Sequence, residues 1–393
     1  MNERNGKRIV GLDMHPDVFS AAALSGSAEQ ARAEWVDDRK STGELEAWAK
    51  KRLRKEDVVV LEASGNSFEV VSRLHALGFT AIVLESTQAG KIRAGLCQDD
   101  RHSAVKLARV YLSGLAKIVW QPDARTREYR EVFFAHRNAV KDATRCRNRI
   151  RSFLNEYCVR LKPGTSLVAI TGETLALKAK AWTPLQEELL RERFQQLREN
   201  EARRIKLERL MVRELMSQPR WAQLWRLMGI RHRVAFGLMA MIGDINRFPN
   251  PKKLVGYIGL APRKEQSGNN AKGVDCGIGG YGRKDVRALL LQSAHNALVQ
   301  RDSPLHKWGW KLLLKKHRNE AAAAIARKLT VSIWYLLKGH FTPLIEATTH
   351  LTTKLLKLAT VLGKEQLRAL GFINRDDFVV AQINQIKQIK LST

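Results

Sequence analysis

Acid and cysteine are the two things this chain is short of. Its 393 residues hold 39 Asp and Glu against 68 Lys and Arg, a formal net charge of +29. With a sequence pI of about 10.3, the chain falls in the range of nucleic-acid-binding proteins, and phosphate is the expected partner. The four cysteines, Cys97, Cys146, Cys158 and Cys276, have no Cys-x-x-Cys or Cys/His spacing. That argues against a zinc site or a disulfide framework and for reduced, incidental thiols. No apolar run approaches the roughly 20 residues a membrane span needs, so membrane anchoring is not expected. The first residues, "MNERNGKRIVGLDMH", pass into a strand without the apolar region of a signal peptide, which leads us to expect a cytoplasmic, bacterial setting. A P-loop is excluded, since no G-x-x-x-x-G-K-[ST] occurs. There is no internal repeat and no low-complexity tract.

What is present is organised. "KRIVGLDMH" (residues 7–15) reads as a strand, followed by a second at "VFSAAAL". "STGELEAWAKKRLR" reads as a helix, "DVVVLEASG" as a buried strand, "SFEVVSRLHALGF" as a helix and "TAIVLES" as a strand. That alternation predicts an α/β domain with a mixed or parallel sheet. A basic helical region follows from about Arg125 to Arg160, with Phe133, Phe134, Phe153 and Tyr157 among its arginines. One face can pack while the other meets phosphate or solvent. From Pro184 to Ser217 the apolar positions predict a long helix or helical hairpin that pairs with another subunit or packs within its own chain. The Gly229 to Gly237 stretch resembles a turn that lets helices approach a DNA backbone, and residues beyond Thr342 read as an appended tail with helical pieces.

Two places carry chemistry. Asp13 ends the first strand and Glu62 the "VVVLE" strand, and strand ends are where α/β sheets gather ligand sites. With Asp99 or Asp100 entering from "LCQDDRHSAVKLA", they make an all-oxygen set suited to Mg²⁺ or Mn²⁺. Each is also what a turn or a cap would use. In "RKEQSGNNAKG", Ser267 offers a hydroxyl nucleophile or a turn former, flanked by Arg263 and Lys264. "GIGGYGRKDVRALL" then supplies glycine amides with Arg283, Lys284 and Arg287, a phosphate grip opening a helix.

Together, "VGLDMH", "VVLEASG", "DDRHSAVKLA", "GDINRFPNPKKLVGYIGLAPRKEQSG" and "GGYGRKDVRALLLQSA" resemble the DEDD transposases of the IS110 insertion-sequence family, related to pilin-gene invertases and bridge-RNA-guided recombinases. The resemblance covers roughly residues 7–300. It implies an α/β ribonuclease-H-like (RuvC-like) N-terminal domain, a long helical linker or coiled coil, and a mainly α C-terminal transposase domain. We expect these at residues 1–160 (with the basic helical extension), 161–220 and 221–340, with a C-terminal helical tail at 341–393. It implies Asp13, Glu62 and Asp100 as metal ligands and Ser267 as the nucleophile that forms a covalent serine–DNA intermediate. The fourth acid position is Ser103 here, a departure from the pattern, with Asp99 or His102 as neighbours. A structured guide RNA and a homo-oligomer, dimer or tetramer, are further implied partners beside DNA. The alternatives are a RuvC-like nuclease acting by metal-assisted water attack, and a decayed nucleic-acid-binding protein that grips by charge.

Overall fold

The computed structural model describes residues 7–26, 31–87, 89–90, 103–170, 182–265, 274–279, 281–301, 304–344 and 348–389. The chain divides into two compact units, residues 1–123 and 124–393.

The first unit is built on a six-stranded mixed sheet. Strands β1 (Ile9–Met14), β2 (Val18–Ser25) and β3 (Arg32–Ser41) run antiparallel. Helix α1 (Leu45–Arg52) leads to β4 (Val58–Glu62), and α2 (Ser67–Ala76) leads to β5 (Thr80–Leu84). Both strands join in parallel, β4 beside β1 and β5 beside β4. After helix α3 (Ser103–Leu112), the short β6 (Ile118–Val119) closes the order β3-β2-β1-β4-β5-β6. The central strand "VVVLE" is apolar throughout because both its faces are covered. Val10, Leu12, Val59 and Leu61 pack against Leu45 and Trp48 of α1 and Val70 and Leu74 of α2. Ile9, Val58 and Val60 pack against Ala104, Leu107 and Ala108 of α3. Strand β3 is absent from the sequence reading. It is an edge strand, "RAEWVDDRKS", whose one buried position is Asp37 and whose other positions are mostly charged and exposed, so it carries little apolar alternation to detect.

At the N-terminal ends of β1 and β4, the Arg8 guanidinium makes a two-pronged buried pair with Asp57, at 2.9 and 2.6 Å. That geometry is the strong form of a carboxylate–arginine bond, and it raises the Arg8 pKa above its ordinary value against the opposing effect of burial.

Helices dominate the second unit. Helix α4 (Ala124–Glu156) and α5 (Pro184–Met216) each have 33 residues, a length of roughly 50 Å at 1.5 Å per residue. Thr183 starts α5 with a capping box shared with Gln186. The two run antiparallel: Ile150, Phe153 and Leu154 pack with Leu190 and Phe194, while Tyr129 and Phe133 share a core with Met211, Val212 and Leu215. Phe194, Leu197 and Leu215 of the apolar stripe of α5 are therefore buried within their own chain, whereas Leu185, Leu189 and Ile205 stay exposed.

Further along come α6 (His232–Ile242), α7 (Pro251–Ile258), the hairpin of β7 (Pro262–Glu265) and β8 (Val274–Ile278), and α8 (Lys284–Val299). Then follow α9 (Pro304–Leu313), α10 (Arg318–Leu337), α11 (Thr348–Ala369) and α12 (Arg375–Gln388). Two sequence expectations are corrected here. Gly237 lies mid-helix in α6, where a Cβ would come 2.8 Å from the Phe133 ring and 2.9 Å from Leu289, so it serves core packing rather than an approach to DNA. The C-terminal helices are no appendage: Leu355, Leu358, Leu362, Phe378 and Ile386 belong to the same core as α6. Lys354 also donates to the Trp225 and Leu227 carbonyls at 3.0 and 2.6 Å.

An ionic network is buried between α4, α5 and α6. Glu208, 2 % exposed, accepts from Arg204 at 2.6 Å, from Arg233 at 2.8 and 3.1 Å, and pairs with His232. Glu201 links Arg204 and Arg147. His136 sits 4.0 Å from Glu208.

Candidate active site

The two acids of the first unit come together by strand register. Leu12 of β1 pairs with Leu61 of β4, so the next residues, Asp13 and Glu62, stand side by side at the same edge of the sheet. Side chains alternate along a strand, which puts Gly11 and Asp13 on one face and Val60 and Glu62 on that same face. It is the face covered by α3, because Val60 packs with Ala104 and Leu107. Gly11 lets the helix down onto the sheet: a Cβ there would overlap the Ala104 carbonyl oxygen and lie 3.0 Å from the Ala108 nitrogen. Ser103, half-buried, is the first residue of α3. The loops beyond the strands are tied, since the Asn66 side-chain amide donates to the His15 carbonyl at 3.3 Å. His15 Nε2 lies 3.8 Å from Asp13 Oδ2.

Two carboxylates on adjacent strand ends form part of the oxygen donor set that a hard divalent cation takes. A cation also relieves their mutual repulsion. Among the described residues no three His, Cys, Asp or Glu side chains gather as a metal-binding group. Asp99, Asp100 and His102 lie outside the described residues, and so does the third ligand position.

In the second unit Ser267 belongs to the connection between β7 and β8, also outside the described residues. The hairpin around it is placed by its pairs Pro262 to Ile278, Lys264 to Asp275 and Glu265 to Val274; Arg263 and Lys264 are on β7. Its base is locked to the start of α8 by two glycines. Gly259, at φ +81°, ends α7 in the left-handed region. Gly282, at φ +93°, approaches it so closely that a Cβ would meet the Gly259 nitrogen at 2.6 Å. The Arg283 amide donates to the Tyr257 carbonyl at 3.0 Å.

These contacts change the roles of the basic residues. One nitrogen of Arg287 donates to the carbonyls of Gly259, Gly279 and Tyr281 at 2.9, 3.1 and 3.0 Å. Arg287 thus holds the glycine-rich backbone instead of presenting itself as a phosphate hook. Arg283 is joined to Asp285 at 2.8 Å, whereas Lys284 is exposed.

The sequence reading missed Arg130, Arg247 and Tyr257, which converge on the last carbonyls of α6. Arg130 donates to Ala240 at 3.0 Å, Arg247 to Ile242 at 2.9 Å, and the Tyr257 hydroxyl to Met241 at 2.8 Å. Burial lowers the pKa of both arginines. Cations at a helix C-terminus answer its partial negative charge. No local signal marks them, because each belongs to a different element.

Residues 222–308 match a family model described as "Transposase IS116/IS110/IS902 family". Residues 10–159 match the DEDD transposase model of IS110, described as "Transposase". The chain is 24 % identical over 334 residues to the transposase for insertion sequence element IS1111A of Coxiella burnetii, covering 84 % of this chain and 89 % of that one. A probable family 20 transposase of Pseudomonas aeruginosa is 24 % identical, covering 84 % and 96 %. Putative transposase y4qE of Sinorhizobium fredii is 26 % identical, covering 59 % and 56 %. Among the described residues no helix is long and apolar enough to cross a membrane. The ordered motifs, the paired strand-end acids and these matches lead to one conclusion: the chain belongs to the IS110 family of transposases.

Proposed function

We propose that the chain cuts and rejoins DNA through a covalent serine–DNA intermediate. The Ser267 hydroxyl oxygen attacks the phosphorus of a phosphodiester and gives up its proton. The bond from phosphorus to the deoxyribose oxygen breaks, and that oxygen leaves as a hydroxyl by taking a proton. A hydroxyl from the partner strand then attacks the phosphoserine phosphorus and gives up its proton, the bond from phosphorus to the serine oxygen breaks, and the serine regains a proton, so the phosphodiester is rebuilt with no outside energy. Asp13, Glu62 and Asp100 would hold Mg²⁺ or Mn²⁺; a cation bound there supplies positive charge against the charge developing on the phosphate. The observation that supports the metal site in this reading is the register of Asp13 with Glu62 on the face where α3, which follows Asp100 in the sequence, meets the sheet through Gly11; the serine step rests on the resemblance of the segment around Ser267 to the family.

The first unit is read as ribonuclease-H-like: three antiparallel strands, then two parallel strands through helical crossovers. Of the expected boundaries at 1–160, 161–220, 221–340 and 341–393, the first is moved to 123, where the compact units part, and the last is dropped, because the helices beyond 341 share the core of α6. Arg263, Lys264, Arg283 and Lys284 are the basic residues assigned to DNA phosphates in this reading, while Arg287 holds the glycine-rich backbone. An excess of positive charge without a base-reading motif supports a structured guide RNA that pairs with donor and target, leaving the protein to read backbone and shape. Joining two DNA sites supports a homo-oligomer, dimer or tetramer. The work is placed in the bacterial cytoplasm.

The decisive experiment traps the adduct on an element-junction DNA. The wild-type chain should give a protein–DNA band that withstands denaturation, and Ser267→Ala should give neither band nor cut product. Cutting retained in Ser267→Ala would instead establish water attack.

A further inference from the structure

Helix α9 and the turn after it lie beyond the matched family segments for all but their first residues. Trp310 there is held and yet open. Its indole N–H donates to the Leu298 carbonyl at 3.3 Å, filling an acceptor in the last turn of α8, which His306 approaches at 2.7 Å. Gly309 presses the helix onto its neighbours, since a Cβ would come 2.6 Å from Leu298 and 2.9 Å from Ile325. Despite this anchoring, 54 % of Trp310 remains exposed, and Leu314 is 82 % exposed beside it. Lys307 and Lys311, three residues before and one after, are exposed, as is Lys315. From Pro304 to Arg318 the sequence "PLHKWGWKLLLKKHR" has no acid.

We propose that Trp310 is a stacking platform for an unpaired DNA strand, with Lys307, Lys311 and Lys315 on its phosphates. A fixed aromatic plane costs little entropy to present, and stacking with flanking cations is how single strands are held without base reading. A duplex offers no comparable ring face, because its bases are already stacked. Five basic residues with no acid argue against a second copy of a chain that is itself strongly basic. The choice of DNA rests on the reading that this transposase opens DNA strands.

The test uses the full-length chain and fluorescence anisotropy over a salt series. The probes are a thymidine oligomer of about 12 nucleotides, within the ~4–16 nucleotides of single-strand sites, its duplex, and a uridine oligomer. Trp310→Gln keeps a donor for Leu298 and removes the ring; Trp310→Phe keeps a ring and removes the donor. We expect Trp310→Gln to weaken the thymidine oligomer by roughly 5- to 150-fold with duplex affinity within twofold, and Trp310→Phe to retain most of the affinity. Lys311→Gln should lower the salt slope for the single strand by about 0.7. Equal loss for strand and duplex, no loss, or loss for the uridine oligomer alone would overturn the proposal. So would sedimentation showing that Trp310→Gln changes only self-association. Thermal melts of both variants separate loss of the cap from loss of the platform. Binding does not use the serine hydroxyl, so Ser267→Ala should show the same dependence on Trp310; a missing covalent adduct in the wild-type chain with intact strand binding would count against the serine mechanism alone.

Discussion

Gly11 faces the Ala104 carbonyl with no room for a single carbon between them. Backbone meets backbone here, so no side-chain rotation can relieve an added methyl group. Gly11→Ala should push the first turn of α3 off the sheet, at a cost of about 1–3 kcal/mol for overpacking. Urea melts of the purified chain check this, with Gly65→Ala as the control, since a Cβ at Gly65 meets nothing within 4 Å. Because the displaced turn begins at Ser103, cleavage should fall by more than the stability loss explains. Equal stability of Gly11→Ala and wild type would remove the packing argument.

Asp13 and Glu62 stand in register, so each should be indispensable while neither holds up the core. Asp13→Asn and Glu62→Gln should melt within about 0.5 kcal/mol of wild type, the range of substitutions away from buried networks. Each should reduce cleavage by more than the roughly 10–100-fold that a supporting partner alone costs. Calorimetric titration with Mn²⁺ gives a second reading, with weakened binding in both variants. Ser103→Asp is the complementary change, and it should tighten Mn²⁺ binding and sharpen the metal dependence of cutting.

Much of this architecture was legible in the sequence. "IVGLDM" and "VVVLE" announce strands by unbroken apolar residues, and an acid at the end of each points to the sheet edge. Their being neighbours on one face is a matter of register, which depends on pairing between segments far apart in the chain. Gly11 reads as an ordinary strand glycine until the helix above it is known. The long helix from Pro184 shows its apolar positions, yet these do not name their partner; α4 of the same chain covers Phe194 and Leu197 and leaves Leu185, Leu189 and Ile205 exposed. Arg287 resembles any basic residue near a helix start. Its role is fixed by three carbonyls whose positions depend on Gly259 and Gly282 touching.

Arg287 and Lys284 should therefore part company under mutation. Hydrogen bonds from a charged group contribute about 1.5–3 kcal/mol, so Arg287→Ala should destabilise the second unit by that order. Arg287→Lys should rescue it poorly, because a lysine cannot reproduce the reach of the guanidinium fork. Lys284→Gln should leave the melt unchanged and lower the slope of log affinity against log salt by about 1 if Lys284 meets a phosphate. A stable Arg287→Ala protein with a reduced salt slope would reverse the assignment and return Arg287 to the DNA.

The buried pair of His136 and Glu208 predicts how stability responds to acid. Burial is the largest influence on His136 and pushes its pKa down to about 4, against the attraction of Glu208. Burial also opposes the charge on Glu208, but hydrogen bonds and positive charge from His232 and Arg233 more than offset it and hold that carboxyl well below the usual range. Between the ordinary histidine value near pH 6.5 and about pH 4, the unfolded chain takes up a proton at His136 that the folded chain refuses. Stability is therefore complete above pH 6.5 and is lost as the pH falls to about 4, by on the order of 3 kcal/mol at most. Glu208 adds a further loss below the ordinary glutamate value near 4.3, because its folded carboxyl resists protonation. His136→Phe fills the same space and has nothing to protonate. Its stability should stay level from pH 6.5 to about 4.5 while that of the wild type declines. Parallel curves for the two proteins across that window would show that His136 is not the group being titrated.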